Sequence, residues 1–255
     1  MLLVVLSFSA AFLDAAVGVG YGTMLTPLLI LLNLPVLEII PAVLLAQIVA
    51  AAITALFYYI HGNIEFTRTS EDSQIAIILS LAGIFGATIA ITLFFTIFSI
   101  NPVLLQIYIA IALLLVGILV LIQFRWQLTP SRIFTIGAIA AVNKGLSGGC
   151  YTPIVAGGLL LSGRTNKQAI GVTKVAKAVT SITAVILYIL LGRLIFDQYF
   201  IQLAIPLTIG TLIAAPLASY LVKRTQSHQI TILIGITISF LGIFTLLKTL
   251  LTPLS

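Results

Sequence analysis

Three lysines, Lys144, Lys174 and Lys177, stand within apolar stretches of the chain, and Asp14 is the one acidic residue in comparable surroundings. A charged group at the centre of a hydrocarbon layer costs about 2.5–3.5 kcal/mol on insertion scales, so it faces a partner, a wet cavity or a ligand. Lys174 and Lys177 are three residues apart, which on a helix sets them on one face, where they repel unless an acid or an anion sits between them. Lys144 opens the segment Lys144-Gly145-Leu146-Ser147-Gly148-Gly149-Cys150-Tyr151-Thr152-Pro153. Glycines there leave backbone N–H groups accessible, and a helix starting at Pro153 would turn the positive end of its dipole towards the lysine. The chemistry these residues describe is the holding of a small anion.

Further contacts can be named around it. Gly148 and Gly149, with Gly20 and Gly22 in a matching stretch of the first half, would let backbone amides approach the anion. Thr23 and Ser147 supply hydroxyls, and Gln47 stands roughly where Lys177 stands in the second half, as a neutral donor or a buried interhelical contact. Asp14 either carries a coupling proton or neutralises a lysine. Each lysine has a structural reading as well: Lys144 pairs with Asp14, or Lys174 snorkels to an interface. Cys150 reads as a small residue that fits the break.

Catalysis is not indicated. There is no His-Glu-x-x-His, no pair of carboxylates at depth and no Gly-x-Ser-x-Gly. Ser147 with Lys144 is the nearest approach to a serine–lysine dyad, and nothing in the sequence fixes the hydrogen bond that such a pair needs. Neither a cofactor nor a metal site is expected, and one cysteine admits no intramolecular disulfide. The net charge of +6 comes from residues spread between apolar runs rather than from a dense basic stripe, so nucleic acid is not a partner.

The elements that position these residues follow from composition. With 61% hydrophobic and 7% charged residues and a mean hydropathy of +1.27, the chain is written for a bilayer. Residues 73–124 contain no charge at all; one helix of that length would far overshoot a hydrocarbon core about 30 Å thick, so it turns, at Asn101-Pro102. The runs are continuously apolar, as in helices, rather than alternating, as in barrel strands. The N-terminal run has no basic region ahead of it and reads as retained structure rather than a cleavable signal.

Internal similarity divides the chain into a first membrane repeat (1–123), a cytoplasmic connecting loop (124–132) and a second repeat (133–255). Gly22-Thr23-Met24-Leu25-Thr26-Pro27 aligns with Gly148-Gly149-Cys150-Tyr151-Thr152-Pro153, Gly62-Asn63 with Gly192-Arg193, and Leu115-Val116-Gly117-Ile118 with Phe240-Leu241-Gly242-Ile243. Each half opens on a glycine-rich break ending in Thr-Pro, which reads as the capped start of a fresh helix. Positive charge chooses between hairpins and full crossings. Re-entrant hairpins collect Arg68, Arg125, Arg132, Arg164, Lys167, Lys223 and Arg224 on one face, against Arg193 and Lys248 on the other. Full crossings leave no bias. The expected fold is an all-α integral membrane protein of two inverted repeats, each a broken, re-entrant helical hairpin followed by three transmembrane helices, the arrangement of a secondary transporter.

The two breaks, Gly18-Val19-Gly20-Tyr21-Gly22-Thr23-Met24-Leu25-Thr26-Pro27 and the Lys144–Pro153 segment, each followed by a span ending in a Gly-Asn-type turn (Gly62-Asn63, Gly192-Arg193), resemble the TauE/SafE sulfite exporter family over essentially the whole chain. The resemblance implies a membrane permease, usually an exporter, for sulfite, sulfoacetate or related sulfur-containing organic anions. It implies a multi-pass protein of the inner (plasma) membrane whose partners are a small anionic substrate and the lipid bilayer. A homodimer is compatible with it. The alternatives are a passive anion channel, which would share the same basic residues, or an importer of another small anion such as thiosulfate or a carboxylate.

Overall fold

A computed structural model of the chain describes residues 1–67, 69–98, 101–122, 129–191, 198–221 and 228–251. Among these residues the secondary structure is helical without a strand. In chain order the helices are α1 (Leu2–Val17), α2 (Tyr21–Leu31), α3 (Val36–Ile60), α4 (Glu71–Leu93, extended by a π-helical turn at Phe94–Phe98), α5 (Pro102–Ile122), α6 (Pro130–Ser147), α7 (Tyr151–Leu161), α8 (Asn166–Leu190), α9 (Gln198–Leu221) and α10 (His228–Leu251). Four segments, Val36–Ile60, Glu71–Thr96, Lys167–Leu190 and Gln198–Tyr220, are long and apolar enough to cross a membrane by length and composition. Asn101 turns the chain into α5, its side chain accepting from the Leu104 N–H.

The chain is built twice. α1 and α6 end at Val17 and Ser147, α2 and α7 run from Tyr21 to Leu31 and from Tyr151 to Leu161, and α3 and α8 start at Val36 and Asn166; each pair is offset by 130 residues. The helix pairing repeats as well: α1 lies on α9 as α6 lies on α4, α3 lies on α9 as α8 lies on α4, and α3–α8 and α5–α10 pair across the middle. Exchanging the halves maps these principal pairings onto themselves. The repeats are interleaved, so the main apolar cluster draws on both, from Ala10 and Leu44 to Tyr188 and Leu207.

Each opening segment is a hairpin. Ser7 Oγ and Tyr21 Oη are 2.8 Å apart, whereas residues 14 apart on a straight helix would be separated by about 21 Å. In the second half α7 folds back on α6, bringing a Cβ built at Gly158 within 3.5 Å of Ile136 Cδ1. Close helix approach depends on small residues: Gly86 abuts the Ala138 carbonyl and Gly210 abuts Ser7 and the Val4 carbonyl.

Side-chain contacts tie the turns together at two places. At one end Arg164, between α7 and α8, bridges to Glu71 at 2.5 Å and Asp72 at 2.6 Å in the first turn of α4. At the other, Lys248 donates to the Ile30 and Leu31 carbonyls, at 2.9 and 3.0 Å, capping the C-terminus of α2. Arg68, Arg125, Arg193, Lys223 and Arg224, which carried part of the charge count, lie outside the described residues, as does most of the 124–132 loop. Its described end is the start of α6, where Thr129 caps Arg132.

The Arg164 latch gives a graded expectation. The Asp72 side chain is 5% exposed and Glu71 81%, so Asp72→Ala, which strands a half-buried guanidinium, should cost about 1–3 kcal/mol. Glu71→Ala should cost under about 1 kcal/mol. Thermal melting of the two purified variants checks the order.

Candidate functional site

The two breaks meet at the centre of the molecule. In each, a left-handed glycine closes the first helix: the Gly18 N–H bonds the Asp14 carbonyl at 3.1 Å and the Gly148 N–H bonds the Lys144 carbonyl at 2.7 Å. Two residues on, the helix N-caps Gly20 and Cys150 also have positive φ, 94° and 64°. Glycine enters this region freely; cysteine is strained there, so a left-handed turn at Cys150 has to be held by its surroundings. It is held by the other hairpin, since the Cys150 N–H donates to Thr23 Oγ1 at 2.8 Å. Gly22 faces the Gly148 carbonyl so closely that no Cβ fits between them. Gln47 Nε2 donates to that carbonyl.

These contacts correct two expectations. Thr26-Pro27 does not start a helix: α2 begins at Tyr21 and Pro27 lies inside it. α7 begins at Tyr151, one residue before Thr152. The halves correspond with Gly18 opposite Gly148 and Tyr21 opposite Tyr151, four residues away from the alignment of the Thr-Pro pairs. The placing of Gln47 opposite Lys177 agrees with the observed offset.

Beside the junction lies the charge cluster. Lys144 is 0% exposed, Lys174 and Lys177 are 1% exposed and Asp14 is 2% exposed. Asp14 stands between the two lysines of α8: Lys174 Nζ is 2.6 Å from Oδ1 and Lys177 Nζ is 2.6 Å from Oδ2. Lys174 also donates to the Asp14 carbonyl at 2.9 Å, and the Gly20 N–H reaches Oδ1 at 3.1 Å. The acid required between two lysines on one helix face is therefore Asp14, and snorkelling does not occur.

Lys144 does not pair with Asp14. It donates to the Lys177 carbonyl at 2.8 Å and to Ser181 Oγ, and its Nζ lies 5.3 Å from the centre of the Tyr151 ring. Three buried lysines thus lie close together, two of them on the Asp14 carboxylate and the third held by α8. Ser181 and Tyr151 were missed by sequence reasoning, although Ser181 is one turn beyond Lys177 on the same face of α8.

The remaining candidates serve the break in this conformation. Ser147 Oγ donates to the Asn143 carbonyl and accepts from the Gly149 N–H at 3.1 Å. Thr23 and Gln47 hold the opposite hairpin, as above. The buried hydroxyls of Thr26 and Thr152 have no hydrogen-bond partner, leaving two donors open at the same junction.

The arrangement is lopsided in a useful way. Lys144 occupies in α6 the place of Asp14 in α1, while Lys174 and Lys177 of α8 correspond to Leu44 and Gln47 of α3. At this junction a symmetric scaffold carries its buried lysines in the second half alone.

The TauE/SafE sulfite exporter family matches residues 3–248. The chain belongs to that family. It is a membrane transporter, and the resemblance read from the two breaks is the family itself. A probable membrane transporter protein, YtnM of Bacillus subtilis (strain 168), is 24% identical over 236 residues, covering 88% of this chain and 74% of its own. No solved structure matches. The family and this relative are both membrane transporters.

Proposed function

We propose that the chain is a secondary transporter, working as an exporter, for small sulfur-containing anions such as sulfite, sulfoacetate or other organosulfonates, in the inner (plasma) membrane. The two repeats, 1–123 and 133–255, are inverted across the bilayer: each hairpin returns to its own side and three spans follow, an odd number. The anion binds where the breaks meet, held by Lys144, Lys174 and Lys177, with Thr26 and Thr152 as further donors and Gly20, Gly22, Gly148 and Gly149 allowing close backbone approach. One observation carries this reading: two buried lysines hold a single carboxylate at that junction, and a third, Lys144, is buried beside them with no acidic partner among the described residues. Buried cations in such excess are stabilised by an anion. The side chains are closed off from solvent, so this conformation is an occluded one, and access requires the hairpins to shift relative to α8.

The test is ligand-dependent stability of the purified protein. A ligand bound only by the folded state stabilises it by about 2.7 kcal/mol at 100 times its Kd. Sulfite, thiosulfate or sulfoacetate should raise the melting temperature of wild type while acetate does not. Lys144→Gln, which keeps a hydrogen-bonding side chain and removes the charge, should lose most of that rise. No response of wild type to any sulfur anion would overturn the substrate class.

A further inference from the structure

We infer that Asp14 is the resident anion of the site, displaced when substrate binds, and that it takes up one proton for each anion loaded. The inference rests on the proposed function and adds to it the coupling ion and the residue that carries it.

The geometry leaves a substrate no free access to the α8 lysines. Both carboxylate oxygens of Asp14 are committed, one to each lysine at 2.6 Å. Asp14 sits three residues before the end of α1, next to the left-handed turn at Gly18, so the residue that must give way is attached to the break itself. A sulfonate or sulfite group presents the same kind of oxygen acceptors that the carboxylate presents, and can replace it between Lys174 and Lys177 without stranding either cation.

Displacement then leaves a carboxylate that was 2% exposed without its partners. The groups facing it do not supply a replacement. From α2, Tyr21 is engaged with Ser7. From α3, the Tyr58 hydroxyl donates to the Ala15 carbonyl at 2.9 Å. From α6, Lys144 is held by α8, and α7 contributes Tyr151 beneath that lysine. The ionisable groups of α9, Tyr199 and Tyr220, lie at its two ends. The Gly20 N–H remains, a single neutral donor. An ionised carboxylate so placed is far more costly than a protonated one, and the group neutralises instead. The proton comes from water on the side the anion enters and forms the O–H bond of the Asp14 carboxyl. When the anion leaves, the proton leaves and Asp14 closes on the lysines again. Binding therefore strengthens as pH falls.

The experiment is calorimetric titration of the purified full chain with thiosulfate, whose own charge is constant near neutrality, in two buffers of different ionisation enthalpy. Wild type should take up about one proton per anion, with Kd weakening up to tenfold per unit rise in pH. Asp14→Asn keeps the side chain's size and its acceptor oxygen but cannot gain a proton; it should bind with no uptake and no pH dependence. If that variant folds poorly, Asp14→Ser, which also keeps an acceptor oxygen and has no carboxyl to protonate, carries the same expectation. Thiosulfate binding to wild type without proton uptake, or unchanged uptake in the Asp14 variants, overturns the inference and leaves the transport reading standing. Failure of thiosulfate, sulfite and methanesulfonate alike to bind wild type overturns both.

Discussion

Gly22→Ala is expected to prevent the two hairpins from meeting. A Cβ built on Gly22 falls 1.7 Å from the Gly148 carbonyl oxygen, 2.5 Å from its carbon and 2.9 Å from Gln47 Nε2. None of these is the end of a flexible chain that can swing aside, except the amide of Gln47, and that amide is bonded to the same carbonyl. The hairpin tips would have to part by more than 1 Å, roughly the difference between this distance and a normal carbon–oxygen contact. Parting them weakens the Gln47–Gly148 bond and the Cys150–Thr23 bond together. It also removes what holds Cys150 in its left-handed turn. Overpacking of about 1–3 kcal/mol and two lost hydrogen bonds at about 1 kcal/mol each give a loss of about 3 kcal/mol or more. Gly157→Ala is the matched control, since nothing lies within 4 Å of the added methyl; in a helix interior it should be neutral or mildly stabilising. Size-exclusion profiles and melting temperatures of the two variants decide the matter. Equal stability would mean that the tips do not touch.

That contact also shows where sequence reading succeeds and where it stops. The breaks were legible because a glycine-rich interruption of an apolar run frees backbone groups that lipid cannot satisfy, so the chain must turn there against other protein or a cavity. The count of positive charge then favoured hairpins over crossings. The register was not legible. Thr-Pro is a sound start signal, and in α7 it falls two residues late, with Cys150 as the N-cap and Tyr151 the first helical residue. In α2 the helix begins directly after Gly20 instead, through a backbone turn that no side chain caps. Pro27 then sits in the second turn, where its missing N–H forgoes one helical bond. Backbone φ, not side-chain chemistry, places both starts, and a sequence reports φ only indirectly through its glycines. At Cys150, where a non-glycine takes the turn, it reports nothing.

The charges divide along the same line. Spacing alone required something acidic or anionic between Lys174 and Lys177, because residues three apart on a helix are neighbours whatever the fold. Which acid it is, and that Lys144 turns instead to the Lys177 carbonyl and Ser181, depends on α1 and α6 both ending against α8. That is a fact of tertiary packing between residues more than 30 positions apart for Lys144 and 160 or more apart for Asp14. Offset by 130 residues, Asp14 and Lys144 are the same position in two copies of one scaffold. The exchange of one charge for its opposite at that position makes a symmetric frame electrostatically asymmetric at the junction.

Asp14→Ala should be the most damaging single change in the charge cluster. It removes the partner of both α8 lysines at once, and breaking a buried ion pair by deleting one member costs about 3–5 kcal/mol because the other charge is left uncompensated. Here two cations remain, 1% exposed, on one helix face, with Lys144 close behind them. Asp14→Asn should cost less, since the amide oxygen still accepts from one lysine. The diagnostic comparison is a rescue. Lys174→Met alone leaves Asp14 paired with Lys177 at 2.6 Å and should be tolerated better than Asp14→Ala. Adding Lys174→Met to Asp14→Ala should recover part of the lost stability, because the second substitution removes a cation that the first left stranded. Additive or worse behaviour in this double-mutant cycle, read from melting temperatures in the same detergent, would show that the lysines do not depend on Asp14 for their charge balance. Recovery would show that the cluster is held together by charge compensation, the same demand that an incoming anion would satisfy in place of the carboxylate.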